Sequence, residues 1–196
     1  MALSRRDERY HTYADYLSWP DDVRYELVDG TAYLMSLAPD LMHQSFVGEI
    51  FFQLRAALAE SPCQPFVAPV DVRLPKGDEA DDAVDTVVQP DVFVVCDPAR
   101  LDRRGVRGAP EFAVEVLSPA TAGHDHVAKR HVYERAGVRE YWLVHPVDRI
   151  VTIYRREGSG YAPPVVQELA GTTAVEALPG VVIDWNELSK RIPQTD

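Results

Sequence analysis

Two of the most apolar segments in the chain each contain a single carboxylate. Asp91 lies within VVQPDVFVV at residues 87–95, and Glu115 lies within FAVEVL at residues 112–117. Both segments are short and rich in β-branched and aromatic residues, which predicts buried strands. A charged carboxylate in such a strand is unfavourable unless a cation, a hydrogen-bond donor or a shifted pKa compensates it. The pattern therefore predicts two core strands and a shared group that compensates the burial of both carboxylates.

One divalent metal ion is the simplest compensator for both acids. Carboxylate oxygens on rigid strands suit Mg²⁺ or Mn²⁺. The alternative for either acid alone is an arginine partner or a solvent-exposed strand edge, because structural ion pairs also perturb such groups. For the pair we favour a site, since Gln89 and Pro90 interrupt the first strand and Pro90 lacks an N–H for the sheet. We expect the sheet to be locally open or bulged beside Asp91.

The order of the predicted elements favours a mixed α/β fold. Apolar spacing, capping residues and turn signals give the elements. They are helices at 13–19, 41–60 and 125–136, a hairpin at 25–35, strands at 66–74, 87–95, 112–117, 141–145 and 150–154, and a strand followed by a helix at 181–190. The acidic stretch 77–85 is expected to be a solvated loop. Because strands and helices do not alternate regularly, a central mixed sheet is favoured over a doubly wound nucleotide-binding fold.

Length and charge limit the organisation and the partners. At 196 residues the chain suits a single domain, 1–196. We expect a core at about 41–155, an N-terminal helix and hairpin at 12–36, and a C-terminal strand and helix at 181–191. The formal net charge of −11 argues against a general nucleic-acid coat protein. A nucleic-acid enzyme with a local basic rim remains open.

The cysteines and the N-terminus predict a cytoplasmic protein. Cys63 and Cys96 have no CxxC spacing, so we expect free thiols in a reducing compartment. The first ten residues are polar and charged, which is unlike a signal peptide. No apolar run approaches the length of a membrane span, so we expect no membrane contact.

A lysine is placed to reach the Glu115 strand. Asp125, Lys129 and Tyr133 are four residues apart and share one helix face. Helical side chains lean toward the N-terminus, so Lys129 would point back to the loop that leaves this strand. Its ammonium there could stabilise charge on an attacking hydroxide or a phosphate. From spacing alone, a surface pair with Asp125 is the favoured alternative.

Two further polar residues are candidates with ordinary alternatives. Glu26 lies in a hairpin strand, where alternation favours a solvent-facing position. His43 opens the long helix and could contact phosphate or act as an acid or base. A capping or surface role is the alternative for His43. The histidines at 124, 126 and 131 match no zinc-site spacing.

One sector of the chain is markedly basic. Such a sector beside a carboxylate metal site suits a phosphodiester, whose backbone it would position. A solubilising face is the alternative, because acids are interleaved with these residues. The sector comprises Arg100, Arg103, Arg104, Arg107, Lys129, Arg130, Arg135 and Arg139.

Several motifs occur together between residues 13 and 154, and in this order they resemble the Uma2 family. The family is a bacterial group of endonucleases in the restriction-endonuclease-like superfamily. The motifs are YELVDG at 25–30, HQ at 43–44, QPDV at 89–92, VEVLSPAT at 114–121, Asp125 with Lys129 and Tyr133, and GVREYW at 137–142.

The resemblance implies a restriction-endonuclease-like core, a central mixed sheet flanked by helices, in which Asp91 and Glu115 are the acids of a PD-(D/E)XK site. The chain departs from that pattern at Leu117, where the motif has lysine, and the family's relocated lysine maps onto Lys129. The implied catalytic residues are Asp91, Glu115, Lys129 and Glu26. The implied metal ligands are Asp91, Glu115 and the Val116 carbonyl, with Mg²⁺ or Mn²⁺ as the cofactor. The implied substrate-binding residues are His43, Gln89, Ser118, Tyr133 and Arg130.

The resulting hypothesis is a divalent-metal-dependent endonuclease that hydrolyses DNA, working as a homodimer because superfamily members often pair to cut two strands. The displaced lysine also fits a catalytically weakened nuclease fold that acts as a binding module. A third hypothesis is a metal-dependent hydrolase of small phosphoesters. Cleavage of polynucleotides distinguishes the first hypothesis from the other two.

Overall fold

The computed structural model of the chain describes residues 5–20, 22–35, 40–118 and 125–192, with side chains at all of these except 125–127. Within these ranges the α-helices are α1 (Tyr13–Tyr16), α2 (Leu41–Ala57), α3 (Asp125–Ala136) and α4 (Trp185–Arg191). Asp40 caps α2 by accepting the N–H of His43. No helix of the described ranges has the length and apolar composition that a membrane crossing requires.

The strands of the described residues form two larger sheets and one separate pair. They are β1 (Tyr25–Val28), β2 (Thr31–Leu34), β3 (Gln64–Val67), β4 (Val72–Arg73), β5 (Val87–Val88), β6 (Val92–Val95), β7 (Leu101–Asp102), β8 (Gly105–Arg107), β9 (Phe112–Val116), β10 (Glu140–His145), β11 (Ile150–Glu157), β12 (Gly160–Tyr161), β13 (Val165–Glu168), β14 (Thr172–Ala174) and β15 (Val182–Asp184).

Both larger sheets are mixed. The central sheet has the order β12-β11-β10-β9-β6-β3, with β13 also paired to β11. The second sheet has the order β2-β1-β5-β4-β8-β7, and β14 pairs with β15. The parallel pairs are β9 with β10 and β4 with β8. The predicted mixed sheet is confirmed.

Apolar side chains cover the central sheet on both faces. Ile50 of α2 packs on one face with Val114 and Trp142. Tyr133 of α3 packs on the other face with Ala113. Because both faces are covered, β9 is buried at every position, which explains its unbroken apolar sequence.

The hairpin and the third helix agree with the sequence predictions. Asp29 and Gly30 join β1 to β2 with φ of 49° and 75°, as a two-residue turn of type I′ requires. Helix α3 has its predicted bounds, and Gly137 follows it with φ of 93°. Glycine tolerates this left-handed conformation, which ends the helix.

Two predicted strands are each divided. The prediction of one strand at 66–74 is wrong, because β3 ends at Val67, β4 begins at Val72, and a cis bond joins Ala68 to Pro69 between them. The segment 87–95 divides into β5 and β6, which belong to different sheets. The predicted opening beside Asp91 is therefore confirmed. Pro90 has no N–H to continue a strand ladder there.

The acidic stretch 77–85 is largely an exposed loop, as its composition predicts, and only Val84 and Asp85 in it are buried. A 3-10 turn spans Asp81–Ala83. Asp81 pairs with Arg73, whose side chain is fully buried, and Asp85 pairs with Lys76 at 2.6 Å. Two of these acids therefore compensate a buried cation on β4 and an exposed lysine that follows it.

The prediction of free thiols is wrong, because a disulfide joins Cys63 to Cys96. The antiparallel register pairs Gln64 with Val95. One further step along the two strands brings the cysteines opposite each other, with Cα atoms 3.8 Å apart. Cysteine usage therefore gives no support to a reducing compartment.

Alanine substitutions at two glycines should change stability in opposite directions. Gly105 has φ of 116°, and an added Cβ would lie 2.3 Å from the backbone oxygen of Asp71. Gly105→Ala is expected to reduce the free energy of unfolding by more than about 2 kcal/mol.

Gly48 lies on the exposed side of α2 with nothing within 4 Å of an added Cβ. Gly48→Ala should raise stability by about 0.5–1 kcal/mol. Urea denaturation measures the free energy of unfolding of both variants. Equal changes in the two variants would contradict the close approach of Gly105 to the backbone of Asp71.

Candidate active site

The candidate site lies where β9 ends and β6 begins, at one end of the central sheet. The antiparallel register pairs Val92 with Val114. One further step places Asp91 opposite Glu115. Directly opposite residues in such a pair have Cβ atoms about 4.5–5.5 Å apart. The two acids that the sequence singles out therefore lie together.

Asp91 is held by a backbone donor and a histidine. Its Oδ2 accepts the N–H of Val116 at 2.8 Å. The same oxygen lies 3.2 Å from Nε2 of His43. These contacts fix the Asp91 carboxylate against the end of β9.

Glu115 is almost fully buried and accepts hydrogen bonds from two side chains of α3. Its Oε1 accepts hydrogen bonds from the Tyr133 hydroxyl at 2.8 Å and from Lys129 Nζ at 3.1 Å. Burial raises the pKa of Glu115 to about 8, Lys129 opposes this increase, and the nearby charges of Asp91 and Glu26 add to it. Burial also raises the pKa of Tyr133 well above its ordinary value. The Tyr133 hydroxyl therefore acts as a donor to Glu115.

Lys129 links two carboxylates from different sheets. Its Nζ lies 2.9 Å from Oε1 of Glu26 and 3.1 Å from Oε1 of Glu115. Only 6% of the lysine side chain is exposed, so the surface alternative for Lys129 is wrong. The side chain points back along α3 to the end of β9, as helix geometry predicts.

Glu26 is buried, in contrast to the solvent-facing position that strand alternation favours. It is 1% exposed. Its strand, β1, is an inner strand between β2 and β5, and α3 packs nearby with Lys129. Glu26 Oε1 also accepts the N–H of Gln89 at 2.7 Å. The N–H of Gln89 is available for this contact because Gln89 lies in the break between β5 and β6.

Gln89 connects the site to a layer behind it. Its Nε2 donates to Asp71 Oδ1 at 2.8 Å and lies 3.2 Å from the Tyr16 hydroxyl. Its Oε1 accepts from Arg24. Sequence reasoning missed Asp71, Tyr16 and Arg24, because no spacing relates three segments so far apart. The predicted substrate contact of Gln89 stays a prediction, and its amide is engaged within the protein.

His43 has one ring nitrogen directed at Asp91 and one without a partner. The residue is 8% exposed. Its Nδ1 is buried and has no hydrogen-bond partner among the described residues. A buried imidazole nitrogen without a partner is costly unless a ligand or water contacts it. His43 is therefore a candidate for a contact outside the protein.

The other predicted substrate-binding residues differ in position. Tyr133 is fully buried and reaches Glu115. Arg130 lies over the ring of Tyr154, 5.8 Å from its centroid. Ser118 follows the end of β9 and is half-buried. The predicted loop 119–123, the histidines 124 and 126, and the side chain of Asp125 lie outside the described residues and side chains.

Most of the predicted basic sector is neutralised by acids. Arg104 lies 3.6 Å from Asp81 and 3.4 Å from Asp82. Arg107 pairs with Asp81 at 3.3 Å and Arg135 with Asp29 at 2.8 Å. Arg100 pairs with Asp97 and Glu111. Most of these acids are distant in sequence from their arginines, so composition along the chain does not reveal the pairing.

The donor set at the end of β9 fits a hard divalent cation. Among the described residues, every hydrogen bond to the two acidic side chains ends on Oδ2 of Asp91 or Oε1 of Glu115. Oδ1 of Asp91 and Oε2 of Glu115 are left for a ligand. No group of three or more His, Cys, Asp or Glu that could hold a metal occurs in the described residues. Two carboxylates are sufficient for Mg²⁺, which usually keeps several waters.

Comparisons with known proteins identify the fold. The model of the Uma2 family, described as "Putative restriction endonuclease", matches residues 13–186. The chain is also similar to the crystal structure of a "putative nuclease belonging to DUF820" from Anabaena variabilis. That similarity has 15% identity and a TM-score of 0.73, and it covers 93% of this chain and 99% of that one. No curated protein matches the chain at a significant level. The mixed α/β, restriction-endonuclease-like fold is confirmed.

Proposed function

The chain belongs to the Uma2 family, and on that premise we propose that it is a divalent-metal-dependent endonuclease that hydrolyses phosphodiester bonds in DNA. The observation that carries the proposal is the pair of carboxylates at the ends of two adjacent strands. Each has one oxygen bound within the protein and one left for a ligand. Lys129, which is bound to Glu115, supplies a positive charge that can stabilise the negative charge developing in phosphodiester hydrolysis.

Asp91, Glu115 and the carbonyl of Val116 would hold the ion. Bound Mg²⁺ or Mn²⁺ supplies a water of lowered pKa and neutralises charge on the phosphodiester. Asp91 is kept in place for this role by the N–H of Val116. Because the same strand end positions Asp91 and contributes two ligands, the geometry of the site is set by the end of β9.

Lys129 and Tyr133 orient Glu115 by binding the same oxygen, Oε1. The second oxygen is thereby fixed in direction. The ammonium of Lys129 also places a positive charge beside the position where negative charge develops in phosphodiester hydrolysis. Glu26 also binds this ammonium, at 2.9 Å.

His43 contributes a contact to phosphate or water through Nδ1. Its Nε2 is engaged with Asp91, so the other nitrogen is the one available to a substrate. This arrangement couples the position of the carboxylate to the position of the imidazole. Ser118 and Arg130 complete the proposed substrate contacts near the end of β9 and on α3.

The competing function is a binding module that keeps the fold without turnover. Leu117 occupies the position of the motif lysine and is 8% exposed within the core. The approach of Lys129 to Glu115 restores a cation to the site and supports an active enzyme. A homodimer, which light scattering after size-exclusion chromatography would detect, is part of the proposal for cutting two strands.

The test is cleavage of supercoiled plasmid and of single-stranded circular DNA, each with Mg²⁺, with Mn²⁺ or with EDTA. We expect products with either metal and none with EDTA. Melting temperature should also rise with metal concentration by mass action. Folded protein that cuts neither substrate with any metal, or that cuts equally in EDTA, would overturn the proposal.

A further inference from the structure

A groove of about 550 Å³ lies at β3, the edge strand of the central sheet. Its walls are the connection between β3 and β4 on one side and the β7–β8 hairpin on the other. The volume lies within the range of roughly 300–1,000 Å³ that is usual for small-molecule sites. The lining residues used below are Phe66, Pro69, Val70, Asp71, Leu101 and Arg103.

Two short paths connect this groove to the site. The N–H of Ala68, next to Pro69 in the groove wall, donates to the carbonyl of Asp91 at 3.1 Å. Asp71, also in the wall, accepts from Gln89 at 2.8 Å, and the N–H of Gln89 binds Glu26. The groove wall is therefore linked by hydrogen bonds to the backbone of Asp91 and, through Gln89, to Glu26.

The groove wall is apolar and partly aromatic. Phe66 stacks on Phe93 with ring centroids 5.4 Å apart and an interplanar angle of 23°. Phe66 is nevertheless only half-buried, as are Val70 and Leu101. A flat apolar group that entered the groove would meet the side of Phe66 that Phe93 leaves uncovered. Nucleobases stack on aromatic side chains in this way, largely independently of sequence.

The groove has a positive charge at its rim, on Arg103, and a negative charge in its wall, on Asp71. Arg103 is exposed at the hairpin turn and has no ion-pair partner within the described part of the chain. Its neighbour Arg104 is shared by Asp81 and Asp82. Asp71 in the wall is an acceptor that repels phosphate but accepts an amine hydrogen. An incoming nucleotide therefore gains by placing its base inside and its phosphate at Arg103.

We propose that this groove binds an unpaired nucleotide, so that the substrate class is nucleic acid with a single-stranded segment at the cleavage site. This inference rests on the proposed nuclease function, but binding to the groove can be measured without cleavage. A paired base reaches such a groove only after it has been extruded from the duplex stack, at a cost of a few kcal/mol. Single strands avoid that cost.

The binding test uses fluorescence anisotropy in EDTA, where no metal-dependent cleavage interferes. A labelled 20-nucleotide single strand should bind at least about tenfold more tightly than the same sequence as a duplex. Arg103→Ala should weaken single-strand binding by roughly fivefold and leave the melting temperature unchanged. The control is Arg139→Ala, since Arg139 is also exposed but precedes β10 at the end of the sheet remote from Glu115. The control should change binding by less than about twofold.

A crosslinking test separates the groove from general surface charge. Single strands that carry 5-iodouracil are irradiated with the wild-type protein, and the tryptic peptides are analysed by mass spectrometry. The expected crosslink is on Phe66, in peptide 56–73. Equal binding of duplex and single strand, an unchanged affinity of Arg103→Ala, or crosslinks only in other peptides would each overturn the proposal. Binding as expected without any cleavage would leave the groove assigned and remove the nuclease function instead.

Discussion

Lys129→Met is expected to reduce the free energy of unfolding by about 3–5 kcal/mol. The substitution keeps the volume of the side chain and removes the charge that Glu26 and Glu115 share at 2.9 and 3.1 Å. Both acids are buried, so neither can be stabilised by water instead. An uncompensated buried charge costs more than the original pair contributes. Urea denaturation measures the change directly.

The matched control is Lys190→Met on α4. Lys190 also pairs with a glutamate, Glu187, but its side chain is 67% exposed. Exposed pairs contribute about 0–1 kcal/mol, so this variant should remain close to the wild type. Adding Glu115→Gln to Lys129→Met removes one of the two buried carboxyl groups that lose their cation and should recover part of the loss. A loss below about 1 kcal/mol in Lys129→Met would contradict the buried charge network.

Asp91→Asn and Glu115→Gln are each expected to lower metal-dependent cleavage by at least about 10²-fold. Either change removes a negative charge from the proposed ligand set. An asparagine side chain in place of Asp91 would retain an oxygen for the N–H of Val116, which Asp91 binds at 2.8 Å. The fold should therefore persist, which circular dichroism would verify. Initial rates on plasmid substrate at saturating Mg²⁺ give the fold-change.

The controls are the same chemical changes at exposed acids remote from the site. Asp148 is 71% exposed and Glu187 is 47% exposed. Asp148→Asn and Glu187→Gln should cleave at the wild-type rate. Cleavage by Asp91→Asn equal to that of its control would remove Asp91 from the catalytic machinery.

The sequence is informative about the site where a residue conflicts with its local environment. Asp91 and Glu115 stand out because each is a charge within an apolar strand, and helix geometry directs Lys129 to the same place. Each of these inferences needs only a short stretch of chain. The structure brings all three residues together, while their roles in metal binding and catalysis stay predictions.

The burial of Glu26 could not be predicted from its own strand. Alternation describes the two faces of a strand, but it does not say which face another element covers. β1 becomes an inner strand only because β5, from a distant part of the sequence, pairs with it, and α3 then covers Glu26. The same limitation hides the pairing of Asp81 with Arg73 and of Cys63 with Cys96.

The short strands could not be predicted for a different reason. β7, β8 and β12 have only two or three residues each, which is too few for an apolar period to be recognised. β13 is exposed at all four positions, so it has no alternation at all. Tertiary pairing, rather than local propensity, stabilises such strands.

Anomalous diffraction from crystals of the protein soaked with Mn²⁺ would show directly whether the two carboxylates hold a metal ion. We expect an anomalous peak at coordination distance from Oδ1 of Asp91 and Oε2 of Glu115, with Lys129 still bound to the other oxygen of Glu115. Full occupancy of Mn²⁺ elsewhere, with no peak between these two carboxylates, would contradict this expectation.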